Sequence, residues 1–152
     1  MKRVIATALL SLVTTPVLAE GDAAAGEKGF KKCRSCHMIV SPEGETIVKG
    51  GKTGPNLYGI AGRTAGTMDG YKYGASIVEA GESGLVWDEA SFVAYATDPR
   101  KFLQEYTGDS KAKSKMTFKL KKGAEDIYAY LVSVGPEVAP AAEEASEEAT
   151  SD

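Results

Sequence analysis

Cys33-Arg34-Ser35-Cys36-His37 contains both cysteines and the single histidine of this 152-residue chain. The spacing C-x-x-C-H is typical of a site where c-type haem is attached covalently. Each thiol can form a thioether with one vinyl group of the haem, and the adjacent imidazole can bind the iron. The stretch therefore predicts one haem c, bound through Cys33 and Cys36, with His37 as an axial ligand.

The same residue types allow other chemistry. A structural zinc site needs four ligands, and two cysteines with one histidine supply only three. A thiol–disulfide pair stays open, because C-x-x-C is also the motif of thioredoxin-type enzymes, although no βαβ pattern accompanies it here. The first alternative is therefore an exported thiol–disulfide oxidoreductase that uses Cys33 and Cys36. The second is a haem peroxidase, which would need an open or weakly held sixth position at the iron.

The first 19 residues have the pattern of a cleavable secretory signal peptide. Met1-Lys2-Arg3 supplies positive charge, residues 4–13 form a short apolar run, and Val17-Leu18-Ala19 is similar to a cleavage site. The run is shorter than the roughly 20 residues that a membrane-spanning helix needs. We therefore expect residues 1–19 to be removed and the mature protein to be a soluble periplasmic protein without stable membrane insertion.

The other end of the chain is acidic. Residues 135–152 contain no aromatic residue, no Lys and no Arg. Their six carboxylates belong to Glu137, Glu143, Glu144, Glu147, Glu148 and Asp152. This composition predicts a disordered, low-complexity tail. One domain then occupies residues 20–134, in which 16 basic and 15 acidic residues nearly balance.

Helical patterns dominate residues 20–134, so we expect an all-α domain of four to five short helices. Asp22 predicts the start of a helix that continues to about Lys32. Asp88 predicts a second start, and Asp98-Pro99 ends that helix and begins another, which ends near Gly108. The other helical segments are expected at residues 75–80 and between Gly123 and Gly135.

Two long glycine-rich stretches, residues 41–54 and 59–74, separate the helical segments. Loops of this length are uncommon in a compact domain unless they have a function. We expect them to pack around a large, flat, apolar cofactor, in agreement with the haem that the cysteine motif predicts.

The second axial ligand must come from another residue type, because the chain has no second histidine. Methionine is the best remaining soft ligand. Met38 directly follows His37 and cannot reach the other face of a haem, and Met68 lies in a polar loop. Met116 has an aromatic residue close by, and the last helical segment follows shortly after it, so we favour Met116 and keep Met68 as the alternative.

Several motifs in fixed order resemble the class I c-type cytochromes, most closely the bacterial cytochrome c2 branch with its c-550 relatives. The resemblance covers residues 20–134. It rests on residues 33–37, 52–59, 62–63, Trp87 with Tyr95, 115–118 and 129–131. It implies the class I cytochrome c fold, with short helices and long loops around one covalently bound haem c. It also implies an electron carrier whose iron cycles between Fe(II) and Fe(III), and not an enzyme.

The resemblance further implies roles around the haem. Pro55 is expected to accept a hydrogen bond from His37, and Tyr95 is expected to form a hydrogen bond near the sulfur of Met116. The residues expected at the haem propionates are Arg63, Tyr73 and Trp87. The expected haem contacts are completed by Ser114 and Phe118.

Basic residues flank the cysteine motif and crowd the segment before the last helix. Nine of them, called the docking lysines below, are Lys31, Lys32, Lys52, Lys111, Lys113, Lys115, Lys119, Lys121 and Lys122. We expect them to form a basic rim that steers short-lived complexes with acidic partners. By resemblance, the donor is the cytochrome bc1 complex, and the acceptor is a photosynthetic reaction centre, a terminal cytochrome oxidase or a denitrification reductase. We expect a monomer that does not bind nucleic acid.

Overall fold

A computed structural model describes residues 21–136 of the chain. The predicted signal peptide and the predicted tail from residue 137 onward lie outside the described residues. Within residues 21–136 the chain forms five α-helices, which confirms the expected all-α class. They are α1 (Ala23–Gly29), α2 (Ala75–Glu82), α3 (Glu89–Thr97), α4 (Pro99–Thr107) and α5 (Ala124–Val134). A short 3-10 helix, Phe30–Lys32, continues α1.

Side-chain caps determine where α1 and α3 begin. The Asp22 carboxylate accepts hydrogen bonds from the N–H groups of Ala24 and Ala25. Asp88 accepts from the N–H of Ser91 at 2.7 Å, and the Ser91 hydroxyl accepts from the N–H of Asp88 at 3.1 Å. These bonds satisfy N–H groups that a helix leaves unpaired, and each cap contributes about 1 kcal/mol.

The corner between α3 and α4 also follows the sequence pattern. Asp98 ends α3 and caps α4 by accepting from the N–H of Lys101, and Pro99 occupies the first turn. Gly108 ends α4 in the left-handed region at φ 70°, where glycine has no steric penalty. The predicted bounds of both helices are therefore confirmed.

A small antiparallel sheet lies in the first long loop. Strand β1 (Ile39–Val40) pairs with β2 (Thr46–Val48). The sequence pattern predicts no strand here, because strands of two and three residues are too short to show an alternation of apolar and polar residues. The Asn56 side chain extends the pairing: it accepts from the Val40 N–H at 3.0 Å and donates to the Val40 carbonyl at 2.7 Å.

The first and last helices pack at very short range. A Cβ atom at Gly26 would overlap the carbonyl of Asp126 and would lie 2.8 Å from the Cβ of Tyr130. The rings of Phe30 and Tyr130 lie 5.8 Å apart, and Phe30 is 1% exposed. Gly26 and Phe30 therefore both pack against α5, and this packing depends on the absence of a side chain at Gly26.

The helices share one hydrophobic core. Phe92 of α3 packs against Tyr128 of α5 at a ring distance of 5.4 Å, and the Tyr128 hydroxyl donates to the Trp87 carbonyl. The largest fully buried side chains are Phe30, Ile39, Leu103, Ile127, Leu131 and Pro99. This core surrounds a cavity that the long loops close.

Replacing Gly26 with alanine tests the contact between α1 and α5. Alanine usually stabilises a helix by up to about 1 kcal/mol relative to glycine. Here its Cβ would push α1 away from α5, and overpacking of this kind costs about 1–3 kcal/mol. We expect Gly26→Ala to lower the Tm of thermal unfolding, followed by circular dichroism.

The variant Ala24→Gly is the control, because Ala24 lies at an exposed position of the same helix and reports helix propensity alone. An unchanged or higher Tm for Gly26→Ala would show that the two helices can separate without cost.

Candidate haem site

A cavity of about 290 Å³ lies between the helices and the long loops. This volume is close to the lower end of the range of roughly 300–1,000 Å³ for ligand and cofactor sites. Every residue predicted to bind the haem or its iron lines this cavity. They are Cys33, Cys36, His37, Pro55, Arg63, Tyr73, Trp87, Tyr95, Ser114, Met116 and Phe118. The structure thus brings together residues that are up to 85 positions apart in the chain.

The cysteine motif folds as a helical turn. The Cys33 N–H donates to the Phe30 carbonyl at 2.8 Å, and the His37 N–H donates to the Cys33 carbonyl at 2.9 Å. Residues three and four positions apart share one face of such a turn. This local structure explains why Cys33, Cys36 and His37 all reach the same cavity.

The two thiols have different environments. Burial raises the pKa of the Cys33 thiol to about 11, and Lys32 opposes this only in part. Cys36 is exposed, and hydrogen bonds from Thr53 and then Ser35 lower its pKa. Thiol–disulfide exchange requires accessible, ionisable sulfurs. The two sulfurs of the motif thus differ in exposure, with Cys33 half-buried and Cys36 exposed.

The imidazole of His37 is held by a backbone hydrogen bond. Its Nδ1 lies 2.8 Å from the carbonyl oxygen of Pro55. Burial lowers the pKa of His37, and the bond to Pro55 opposes that shift. A carbonyl can only accept, so Nδ1 carries the proton and Nε2 is left as the nitrogen that could bind a metal.

The imidazole of His37 packs directly against Gly54, where there is no room for a side chain. A Cβ at Gly54 would lie 2.7 Å from Nδ1 and 2.8 Å from Nε2 of His37. The Gly54 N–H donates to the Cys36 carbonyl at 2.8 Å, and the Gly51 N–H donates to the Arg34 carbonyl at 2.9 Å. The loop of residues 50–55 therefore lies directly on the cysteine motif, a role that the sequence analysis did not assign to these glycines.

The segment around Met116 is fixed by a hydroxyl pair. The Ser114 hydroxyl accepts from the N–H of Met116 at 3.1 Å and lies 3.0 Å from the Tyr95 hydroxyl. Within residues 21–136 the Tyr95 hydroxyl thus forms its hydrogen bond with the side chain of Ser114, which lies two residues before Met116. Farther along, the Leu120 N–H donates to the Ala96 carbonyl at 2.8 Å and ties the segment to α3.

Met68 occupies a different position. Its sulfur lies 3.9 Å from Nη1 of Arg63, and it is not among the residues that line the cavity. Of these two methionines, Met116 is therefore the one positioned to reach a bound cofactor.

The residues expected at the propionates include donors that fit a carboxylate. Trp87 lines the cavity and is 5% exposed, yet its indole N–H has no hydrogen-bond partner within residues 21–136. Arg63 donates to the carbonyls of Tyr58 at 3.0 Å and Asn56 at 3.3 Å, and burial lowers its pKa. An indole N–H can only donate, so Trp87 can supply a hydrogen bond to an acidic group of a cofactor in this cavity.

Tyr71 is a further lining residue that the sequence analysis did not select. Its hydroxyl donates to the Thr53 carbonyl at 2.9 Å, and its ring meets Tyr73 edge-on at 4.7 Å. These contacts connect the second long loop with the loop that lies on the cysteine motif. No local pattern distinguishes Tyr71 from the other tyrosines of the chain.

All nine docking lysines are exposed. Lys32, Lys113 and Lys115 line the cavity. Lys119 forms an ion pair with Asp98, with 2.6 Å between Nζ and Oδ2, and the ammonium of Lys115 donates to a backbone carbonyl. The other seven have no carboxylate partner in the part of the chain that the structure describes.

No protein-family model matches the chain. The chain is similar to cytochrome c-551 of Roseobacter denitrificans, with 62% identity over 135 residues that cover 88% of this chain and 96% of the relative. It is also similar to cytochrome c2 of Rhodobacter capsulatus, with 54% identity over 129 residues, 85% of this chain and 93% of the relative.

Solved structures show the same likeness. Ferric cytochrome c-550 from Paracoccus versutus matches with a TM-score of 0.75 and 55% identity, over 77% of this chain and 100% of that chain. Cytochrome c2 from Rhodobacter capsulatus matches with a TM-score of 0.73 and 58% identity, over 75% of this chain and 98% of that chain.

The fold and the lining of the cavity are those of a class I c-type cytochrome. Within that class, the chain belongs to the bacterial cytochrome c2 family, together with the c-550 cytochromes. It carries one covalently bound haem c and is an electron carrier, so neither enzyme alternative holds. No helix within residues 21–136 has the length and hydrophobicity to cross a bilayer.

Gly54→Ala tests how closely the loop packs on His37. The added Cβ cannot coexist with the ring in its present position, so either the loop or the imidazole must move. We expect a loss of about 1–3 kcal/mol in the free energy of unfolding by guanidinium chloride, with a changed visible spectrum of the holoprotein.

Lys52→Ala in the same loop is the control, since Lys52 is exposed and should leave both quantities unchanged. Wild-type stability and spectrum in Gly54→Ala would mean that this close approach does not constrain the imidazole.

Proposed function

We propose that His37 and Met116 are the axial ligands of the iron and that Cys33 and Cys36 form the two thioethers. One observation carries this proposal: these four side chains line a single cavity, while Met68 lies outside it. The hydrogen bond from Nδ1 to Pro55 already selects the tautomer that presents Nε2.

The bound haem supplies an iron that gains and loses one electron, with a potential that His/Met ligation raises. The protein supplies the positions of the ligands. Pro55 fixes the imidazole, and Ser114 with Tyr95 holds the backbone at Met116. With both axial positions occupied by side chains, no position is left for a substrate, which suits an electron carrier.

Met116→Ala tests the assignment of the second ligand. We expect the oxidised protein to lose the weak absorption band at the red end of the spectrum that iron–sulfur ligation produces. We also expect added imidazole to bind, as followed by absorption titration. Met68→Leu is the control and should retain the band. The opposite pattern, with the band lost only in Met68→Leu, would reverse the assignment.

We also propose that residues 1–19 are a signal peptide, that the folded domain covers residues 20–134, and that the protein acts in the periplasm. The apolar run and the residues up to Ala19 support this proposal. The mass of the exported protein should match a chain that begins at Glu20 and carries one haem.

For its partners, we propose the cytochrome bc1 complex as electron donor. The acceptor is a photosynthetic reaction centre, a terminal oxidase or a denitrification reductase. The exposed docking lysines support brief, charge-steered contacts, because most of them lack a carboxylate partner within residues 21–136. Charges at the rim of an interface mainly increase the association rate.

A double variant, Lys32→Ala with Lys113→Ala, tests the docking surface. We expect reduction by purified bc1 complex to be slower than in the wild type, on the order of two- to tenfold at low salt, where electrostatic steering is strongest. The difference should shrink at about 150 mM salt, where the Debye length is about 8 Å.

The matched control is Lys28→Ala with Lys49→Ala, which removes the same charge at exposed positions outside the docking lysines. Equal slowing in both double variants would show that net charge matters and the docking lysines do not.

A further inference from the structure

The surface around the cavity carries basic charge that is mostly unneutralised. Within residues 21–136 the ion pairs are Lys119 with Asp98 and Lys101 with Glu105. The same residues contain 16 Lys and Arg against 14 Asp and Glu. The docking lysines without a carboxylate partner there are Lys31, Lys32, Lys52, Lys111, Lys113, Lys115, Lys121 and Lys122.

A strongly acidic segment directly follows the described residues in the sequence. The acidic segment, residues 137–152, carries six carboxylates and no basic residue. It begins three residues after the end of α5 at Val134. The chain therefore separates its charges: a basic surface near the cavity is followed by an acidic segment with no internal counter-ions.

The acidic segment leaves the domain beside the cavity. A Cβ at Gly59 would lie 3.3 Å from Cδ of Pro136, so these two residues are neighbours. Gly59 lies between Leu57 and Ile60, and both of these line the cavity. The acidic segment thus starts beside the loop that carries Leu57 and Ile60.

Its length allows it to reach all of the docking lysines. Sixteen residues span at most about 55 Å when fully extended. A domain of this size has a radius of gyration of only about 13 Å. Tethering also raises the local concentration of the carboxylates, to about the millimolar range for a short linker.

We propose that the acidic segment is an intramolecular ligand of the docking lysines. Exposed pairs between Lys and Glu contribute only about 0–1 kcal/mol each and are weakened by salt. The contact is therefore loose and exchanges readily. It shields the basic surface at low ionic strength, and an acidic partner that binds more tightly displaces it. This consequence for partners rests on the proposed docking role, whereas the contact itself does not.

The test compares two full-length holoproteins in the reduced state by ¹⁵N–¹H NMR. One is the wild type. The other has the same length and carries Glu137→Gln, Glu143→Gln, Glu144→Gln, Glu147→Gln, Glu148→Gln and Asp152→Asn. At about 10 mM ionic strength, where the Debye length is about 30 Å, we expect amide shifts of the docking lysines to differ between the two proteins. At about 1 M, where the Debye length is about 3 Å, the difference should vanish.

A control variant neutralises other exposed carboxylates, through Glu43→Gln, Glu45→Gln, Glu79→Gln and Glu82→Gln. It should leave the docking lysines near their wild-type shifts. Differences that are absent, or that lie away from the docking lysines, would overturn the proposal. So would differences that grow with protein concentration, because these would indicate contact with a second copy of the chain.

Kinetics with bc1 complex separate this inference from the proposed function. If the acidic segment shields the docking lysines, the neutralised protein should react roughly two- to fivefold faster than the wild type at low salt, with equal rates at high salt. The NMR differences could be present while the reduction rates of both proteins do not depend on salt. In that case the contact between the acidic segment and the docking lysines is confirmed, and the proposed docking role of the lysines is wrong.

Discussion

The hydrogen bond between Nδ1 of His37 and the Pro55 carbonyl joins the two segments on which the site depends. One is the helical turn that carries the cysteines, and the other is the loop of residues 50–55. Their backbones are in direct contact at Gly50 and Gly51, where a Cβ would overlap the carbonyls of His37 and Ser35, and a Cβ at Gly54 would overlap the His37 ring. The glycines thus allow a carbonyl to reach a ring that the neighbouring motif supplies, and this sets the orientation of the imidazole in the cavity.

The helices could be predicted from local signals. Asp22, Asp88 and Asp98 each accept a hydrogen bond from a backbone N–H at the start of a helix. Donor and acceptor lie within three or four adjacent residues, so a short stretch of sequence is enough to predict the cap. The strands β1 and β2 could not be predicted in the same way. Part of their pairing comes from Asn56, a side chain that lies outside both strands. The same applies to Tyr71, whose contact with Thr53 depends on how two loops meet.

A local motif, the small number of methionines and the family resemblance together predict the site residues. Cys33, Cys36 and His37 are adjacent, so their shared location follows from a single turn of chain. Met116 was separated from Met68 by composition, and only the fold shows that one lines the cavity and the other meets Arg63. Ion pairing is harder to predict from sequence than these site residues, because the ion pair of Lys119 with Asp98 joins residues 21 positions apart. A count of lysines does not reveal which of them are already neutralised.

The contact between α1 and α5 also affects the order in which the chain can fold. The backbone N–H of Asp22 donates to the Asp126 carboxylate, across 104 positions. Ribosomes deliver the N-terminal part first, so this contact must wait until almost the whole domain has been synthesised. Bringing such distant segments together also carries a loop-closure cost and slows folding. Until the last helix has been synthesised, the chain therefore lacks the contact between its first and last helices.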